Sequence, residues 1–536
     1  MRRLALAAIA ICTAAPALAQ QRFVDVQAYH FRINLPDTGR VISGLASVLF
    51  NTSPGYDDTL RLDLVGMSVR RVFDIHTLRQ LPIAYDGRVL KVVTRQTGTG
   101  RPRGVVVEYS GEPQDGLFIG RTVHGRRGIF GDNYPNRARY WLPVIDHPSD
   151  KARVLWSVAV PRGWSAVANQ PECLPRGRPR RCNESAPMPT YTMVLGATER
   201  FTRSVHRPLV SGADTIPIEV WMFPEDSAWA DSVPMRQATE YAEALQRIIG
   251  PFPFAKLSHV EAATRYSGGM ENSTVIFYSE RAIAERRLRT STVRHETAHQ
   301  WFGDAVTPRD FAHVWLSEGF AVYFGALAGA AVDGDSAFVS ALASARERVL
   351  GDSLVGIRSV VDTSVRDPNL QLNALTYQKG ALVLHMLRHE VGDSAFFRGI
   401  REYYRLYRDS SVLSAQFQRV MERMSGEPLA WFFHQWLRQP GYPQLALTWR
   451  PAASSVVLTI SQAQPEAWGR FRLRNVPVLL VLRDGRVLRR SFPINALSAA
   501  QSHTITLNPG DGDVTEIVVD PDAAYLLEVT TTRETR

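Results

Sequence analysis

Residues 294–324 read RHETAHQWFGDAVTPRDFAHVWLSEGFAVYF, and the fold is decided here. His295 and His299 stand four positions apart, which on an α-helix brings both imidazoles to one face, within reach of a single ion. Glu296 lies between them and projects beside that ion, placed to take a proton from a water. After eighteen intervening residues comes Glu318, inside WLSEGFA. The spacing predicts two short helices joined by the turn Val306-Thr307-Pro308-Arg309-Asp310, which sets Glu318 against the histidines. A bare HExxH pattern also occurs on solvated helix faces. Two imidazoles, a carboxylate and one open position form a catalytic zinc shell.

Outward from this stretch the texture is helical. Segments 227–249, 292–303, 316–332, 335–350, 377–391, 394–407, 414–424 and 428–438 carry helical spacing, and Gly250-Pro251 stops the first. Residues 260–278 read as strand, interrupted at Ser267-Gly268-Gly269. Residues 22–205 alternate strand patterns with Gly, Pro, Asp and Asn turns, with no sustained helical period. Beyond Gln439-Pro440-Gly441-Tyr442-Pro443 strands return, with Asp484-Gly485 as a hairpin turn. The order is β, mainly α, then β: a multidomain α+β chain.

The 536 residues are 45% hydrophobic and 21% charged, which excludes collagen-like, disordered and coiled-coil classes. A net charge of +10 is spread without a basic stripe, so a solvated surface is expected and no nucleic-acid partner. The opening MRRLALAAIAICTAAPALAQ has a basic start, a short apolar run and Ala17-Leu18-Ala19. It reads as a secretory signal peptide cut near Ala19, too short to span a bilayer. An exported, soluble, periplasmic or secreted protein is expected, with no membrane span. After cleavage only Cys173 and Cys182 remain of three cysteines. They flank a basic Pro- and Gly-bearing loop and are expected to form a disulfide in an oxidising compartment, two unpaired thiols being the alternative.

Several separate stretches resemble one family, the zinc aminopeptidases of the aminopeptidase N type, which include the leukotriene-hydrolysing aminopeptidases and are gluzincin metallopeptidases. The family's zinc motif corresponds to His295, Glu296, His299 and Glu318. Its GxMEN motif corresponds to Gly268-Gly269-Met270-Glu271-Asn272, and its tyrosine ahead of a Lys-Gly step to Tyr377 in YQKG. RARYWLPVIDHPSDKA at 137–152 and FFHQWLRQPGYPQLAL at 432–447 also fit. The resemblance implies one Zn2+ per chain on His295, His299 and Glu318, with Glu296 as proton carrier and Tyr377 as oxyanion donor. It makes Gly268 to Asn272 the substrate-binding strand, with Glu271 on the free amino group of a peptide. It also implies four segments: a signal peptide (1–19), an N-terminal β-domain (20–205), a thermolysin-like catalytic domain (206–440) and a C-terminal β-sandwich (441–536).

The sequence departs from the family at four points. The family's helical C-terminal domain has no counterpart here. Gly269 stands where alanine is usual, a mild change. Tyr134 stands where the amine pocket often has Gln or Glu. Asp304 replaces a frequent Asn and receives no role. His313 is as well explained by structure as by ligation and is left out of the ligand set. The function expected is hydrolysis of the amino-terminal peptide bond of short peptides. The alternatives are a zinc endopeptidase or epoxide hydrolase on the same fold, and a catalytically inactive binding module.

Overall fold

Alternation of apolar and polar residues gives the N-terminal part its sheets. Ile42–Thr52 buries every second side chain, and Val24–Asn34 does so on either side of a bulge after Val26, the pattern of strands with one face on a core. The computed structural model describes residues 23–95, 102–170, 186–452, 454–498, 500–508 and 510–534. The expected leader and both Cys173 and Cys182 lie outside the described residues. The chain forms two compact units: the first takes the described residues to 198 apart from 121–127, and the second takes 121–127 and everything from 199 onward. The helical segment and the C-terminal strands thus share one unit.

In the first unit a six-stranded sheet runs in the order Met188–Pro189, Lys151–Ala159, Val24–Asn34, Ile42–Thr52, Arg103–Gly111, Ser68–Asp74. Its core is largely aliphatic, with an aromatic cluster inside it. Trp156 lies between Trp141, stacked at 5.6 Å, and Phe31 at 5.0 Å. The 137–152 stretch packs inside this unit. The Arg139 Nε donates to Asp146 Oδ2 at 3.0 Å, and the Trp141 indole donates to Asn133 at 2.8 Å. Tyr134 is buried edge-on to Tyr191.

The second unit begins on a five-stranded sheet in the order Thr202–Val205, Ile218–Met222, Leu257–Ala262, Val275–Ser279, Gly269–Met270. Its three central strands are parallel and buried at every position, as a sheet covered on both faces requires. The short edge strand Gly269–Met270 runs antiparallel to Val275–Ser279. The helix expected over 227–249 is two, Ser227–Ser232 and Ala238–Ile249. Pro234 lies between them, and a proline cannot continue a helical hydrogen-bond ladder.

Two further helices carry the motif: a histidine helix, Thr290–His299, and a glutamate helix, Trp315–Asp333. The second matches the helical segment expected over 316–332 and is longer than the short helix expected from the turn before it. Its nineteen residues are apolar nearly all round and lie in the core. The stretch Phe311–Asp333 is long and apolar enough to cross a membrane, but 78% of its apolar window is buried within this unit. Val306–Pro308, expected as a turn, pairs in parallel with Ser410–Val412. Asp335–Leu350 forms as expected. Residues 380–407 are one helical run broken at Gly392, whose φ is 77°, and Tyr377 sits ahead of it in a π-helical turn, Leu375–Lys379.

The C-terminal strands make a four-stranded and a three-stranded sheet, each burying alternate residues such as Val456, Leu458 and Ile460, or Val476, Val478 and Leu480. They begin at Gln444, just past Gly441. The φ of Gly441 is +76°, and a Cβ there would lie 2.3 Å from Trp468, so only glycine fits. Lys379 joins this region to the tyrosine turn: its buried Nζ donates to the Gly441 carbonyl at 2.8 Å, and burial lowers its pKa to about 7.

Asp150 gives a stability prediction. It is buried in the first unit, with one oxygen accepting the Val26 amide at 3.2 Å and the other unpartnered among the described residues. Burial, with the Asp25 charge adding, pushes it from 3.8 up to about 8. The folded state therefore holds a proton that the unfolded chain releases, and stability falls as pH rises through that window. Asp150→Asn removes the buried charge and keeps the acceptor. It is expected to raise stability at pH 8 by about 1–3 kcal/mol and to be near neutral at pH 4. Melting curves at the two pH values check this; equal shifts at both would refute it.

Candidate metal centre

The histidine helix presents His295 and His299 toward Glu318 on the glutamate helix. The two Nε2 atoms are 3.0 Å apart, and Glu318 Oε2 is 3.3 Å from each. The helices can approach this closely because Gly325 faces the histidine helix: a Cβ there would already lie 3.3 Å from the His295 Cα. His299 Nδ1 is 3.1 Å from the Phe302 carbonyl and 3.0 Å from the Ser317 hydroxyl. With Nδ1–H donated to that carbonyl, the Nε2 lone pair is turned to the common point.

A cation placed among these three atoms would satisfy all of them at once. Glu318 Oε2 is buried and has no hydrogen-bond partner. An ion roughly 2 Å from each atom, the length zinc takes to imidazole and carboxylate, fits among them. The residues present therefore suit zinc, and an open side remains toward Glu296 and Tyr377. Burial lowers the pKa of His295, with the His299 charge adding, and so favours the neutral imidazole that ligates. Burial also raises Glu296 well above the usual carboxylate range.

Glu271, Glu296 and His299 form a second close group, their nearest polar atoms within 4.8 Å of one another. Glu271 is 5% exposed, and burial pushes it up to about 7, with His299 opposing and Glu318 adding. Tyr377 lies ring over ring on His295, at 5.9 Å between centroids and 12° between planes. Gly269 is not a mild change in this chain. A Cβ there would fall 2.4 Å from Glu296 Cγ and 2.6 Å from its Oε1, so the missing side chain is what makes room for Glu296. Gly268 and Gly269 line a cavity of about 900 Å³ that His295, Glu296 and Tyr377 also border. The side chains of Met270 and Asn272 are instead buried.

Two residues went unassigned in the sequence. The Gln300 amide donates to the Glu271 carbonyl at 3.2 Å and to Asp304 at 2.8 Å, and its oxygen accepts the Thr274 amide at 2.8 Å. Gln300 therefore ties the Glu271 strand end to the histidine helix, and Asp304 holds Gln300. No spacing rule singles out a glutamine one place past HExxH. His313 lies apart from the ligand group, with Nδ1 2.8 Å from Ser414 Oγ.

Comparison with known proteins agrees with this geometry. The family model described as Peptidase family M1 domain matches residues 235–436. Tricorn protease-interacting factor F2 of Thermoplasma acidophilum is 26% identical over 72% of this chain and 50% of its own length. Glutamyl aminopeptidase of Rattus norvegicus is 28% identical over 59% of this chain and 35% of its own. Aminopeptidase N of Streptomyces lividans is 25% identical over 57% and 37%. The chain thus spans half or less of the length of these relatives. In fold it is similar to the crystal structure of an M1 zinc metallopeptidase from Deinococcus radiodurans, with a TM-score of 0.65 and 24% identity over 78% of this chain and 94% of that one.

The ligand set is testable without any substrate. Purified chain is expected to bind one zinc. Glu318→Ala and His299→Ala should lower zinc affinity by more than about tenfold, since each leaves a two-ligand site, whereas Glu296→Gln should retain the metal. Metal analysis after dialysis and calorimetric titration read this directly. Unchanged affinity in Glu318→Ala would remove it from the ligand set.

Proposed function

We infer that this chain, whose residues 235–436 are a Peptidase family M1 domain, is a zinc-dependent aminopeptidase that removes the first residue of short peptides. One observation carries the reading: a second buried carboxylate, Glu271, stands on a strand end beside the metal-facing Glu296 and His299. A hydrolase that cuts within chains has no use for it. A peptide's α-ammonium entering this closed ground must leave water, and an unpaired charge there is expensive. Glu271 offsets that cost with a charge-assisted hydrogen bond and fixes the scissile bond one residue from the amino terminus.

His295, His299 and Glu318 would hold the zinc, which would supply an acidified water and a Lewis acid for the scissile carbonyl. Glu296 takes the proton from the attacking water and delivers it to the leaving amine. Its burial favours the protonated state that follows the first transfer. Tyr377, stacked on His295, donates its hydroxyl to the oxygen that becomes anionic. Gln300 keeps Glu271 and Glu296 in register by bonding the strand end to the helix.

Glu296→Gln is expected to abolish nearly all turnover while zinc stays bound. Tyr377→Phe should cost roughly 10²–10³ in kcat with little change in substrate affinity. A loss confined to KM would make Tyr377 a binding residue. Acetylating the substrate's amino group should lower cleavage by orders of magnitude, and Glu271→Ala should narrow that gap. Equal rates on blocked and free peptides, with internal bonds cut, would replace this reading by an endopeptidase.

We propose further that the chain is exported. The basic, apolar and small-residue order of its first nineteen residues supports removal near Ala19. Mass spectrometry of the native protein should find a chain starting near Gln20 with Cys173 joined to Cys182. Thiols that alkylate without reduction would refute the disulfide.

A further inference from the structure

The cavity beside the metal centre is larger than the reaction needs. Its volume of about 900 Å³ has room for more than one amino-acid residue. Small residues make that space: Ala321 and Gly325 on the glutamate helix, Ala337 and Ala341 on the helix Asp335–Leu350. Its charge is one-sided. Arg289, Arg294 and Arg348 line it, against Glu296 as its one carboxylate. Arg294 is compensated, with NH1 2.5 Å from Asp333. Arg289 and Arg348 are exposed and make no ion pair among the described residues.

We propose that Arg289 and Arg348 form a carboxylate-binding subsite for the part of the peptide that follows the scissile bond. The inference rests on the aminopeptidase reading and adds a substrate class to it. Gly269, Glu296 and Tyr377 border the cavity while Glu271 does not. With the amino group on Glu271, the first residue is used up between Glu271 and Glu296, and the cavity receives what comes next. A guanidinium presents a planar fork that matches a carboxylate, and two of them lining one concave cavity are screened less than on an open surface. The ligand is thus a carboxylate on the leaving portion. It comes either from the C-terminus of a dipeptide or tripeptide, or from an acidic second residue.

The test compares Leu-Ala, Leu-Ala-amide and Leu-Glu-amide, with leucine p-nitroanilide as the reference for the aminopeptidase reading. Leu-Ala should exceed its amide in kcat/KM by about tenfold or more, chiefly through KM, and the ratio should shrink at high salt. Arg348→Ala and Arg289→Ala should bring the ratio toward one, and lysine at either position should restore part of it. Leu-Glu-amide matching Leu-Ala would assign the subsite to an acidic side chain; Leu-Glu-amide as slow as Leu-Ala-amide would assign it to the C-terminus. Equal kcat/KM for Leu-Ala and its amide, or a ratio that neither arginine variant changes, with the p-nitroanilide still cleaved, overturns the subsite and leaves the aminopeptidase reading standing. No cleavage of any of the four overturns both.

Discussion

Everything in the second unit is arranged around one contact, the close crossing of the histidine and glutamate helices. It sets three ligand atoms about 3 Å apart, with His299 and Glu318 buried and His295 bordering the cavity. The crossing is bought with small residues. Gly325 lies against the backbone at His295, and Gly319 meets Gly380, where a Cβ would be 2.8 Å from the Gly380 carbonyl carbon. Through the second approach the glutamate helix also seats the long helix from Gly380, and so the turn that carries Tyr377. Phe302, Phe320 and Phe324 fill the space behind, with ring centroids 4.7 to 6.0 Å apart. The position of the tyrosine is therefore a consequence of the same packing that places the ligands.

Electrostatics then assign the roles. Glu318 is held low, near 2, against its own burial by the two imidazoles that face it, while Glu296 and Glu271 are pushed up by burial. Three carboxyl groups within one small volume are thus divided between a permanent anion and two that exchange protons easily. That division suits a ligand and a proton carrier, and the charge of an ammonium beside Glu271 would favour its anion. It follows from geometry alone: Glu318 faces both imidazoles, whereas Glu296 and Glu271 face each other and His299.

The sequence made the centre legible because its residues lie at spacings that helical geometry explains. His295, Glu296, His299 and Glu318 converge as the four-residue step and the eighteen-residue interval imply. The strand, helix and strand order was legible from periodicity. What escaped was set by contacts between distant segments. Gln300 acts on Glu271, 29 positions away, and looks like any helix-end polar residue. The role of Gly269 is visible only once Glu296 is seen to occupy the place of its missing side chain. The break at Pro234 is a local signal that the helical period on either side outweighed. The glutamate helix was legible nearly to the residue, as the apolar run over 316–332 implies.

That helix also shows how a carboxylate can live in a core. From Trp315 to Asp333 it is apolar enough to cross a bilayer, and its burial gives the packing energy that holds the crossing. Glu318 sits in its first turn, where the unpaired amides and the helix dipole favour negative charge. The position of Glu318 on the helix thus reconciles two demands that oppose each other elsewhere in the protein: a dry, rigid support, and an anion within it that a metal can use.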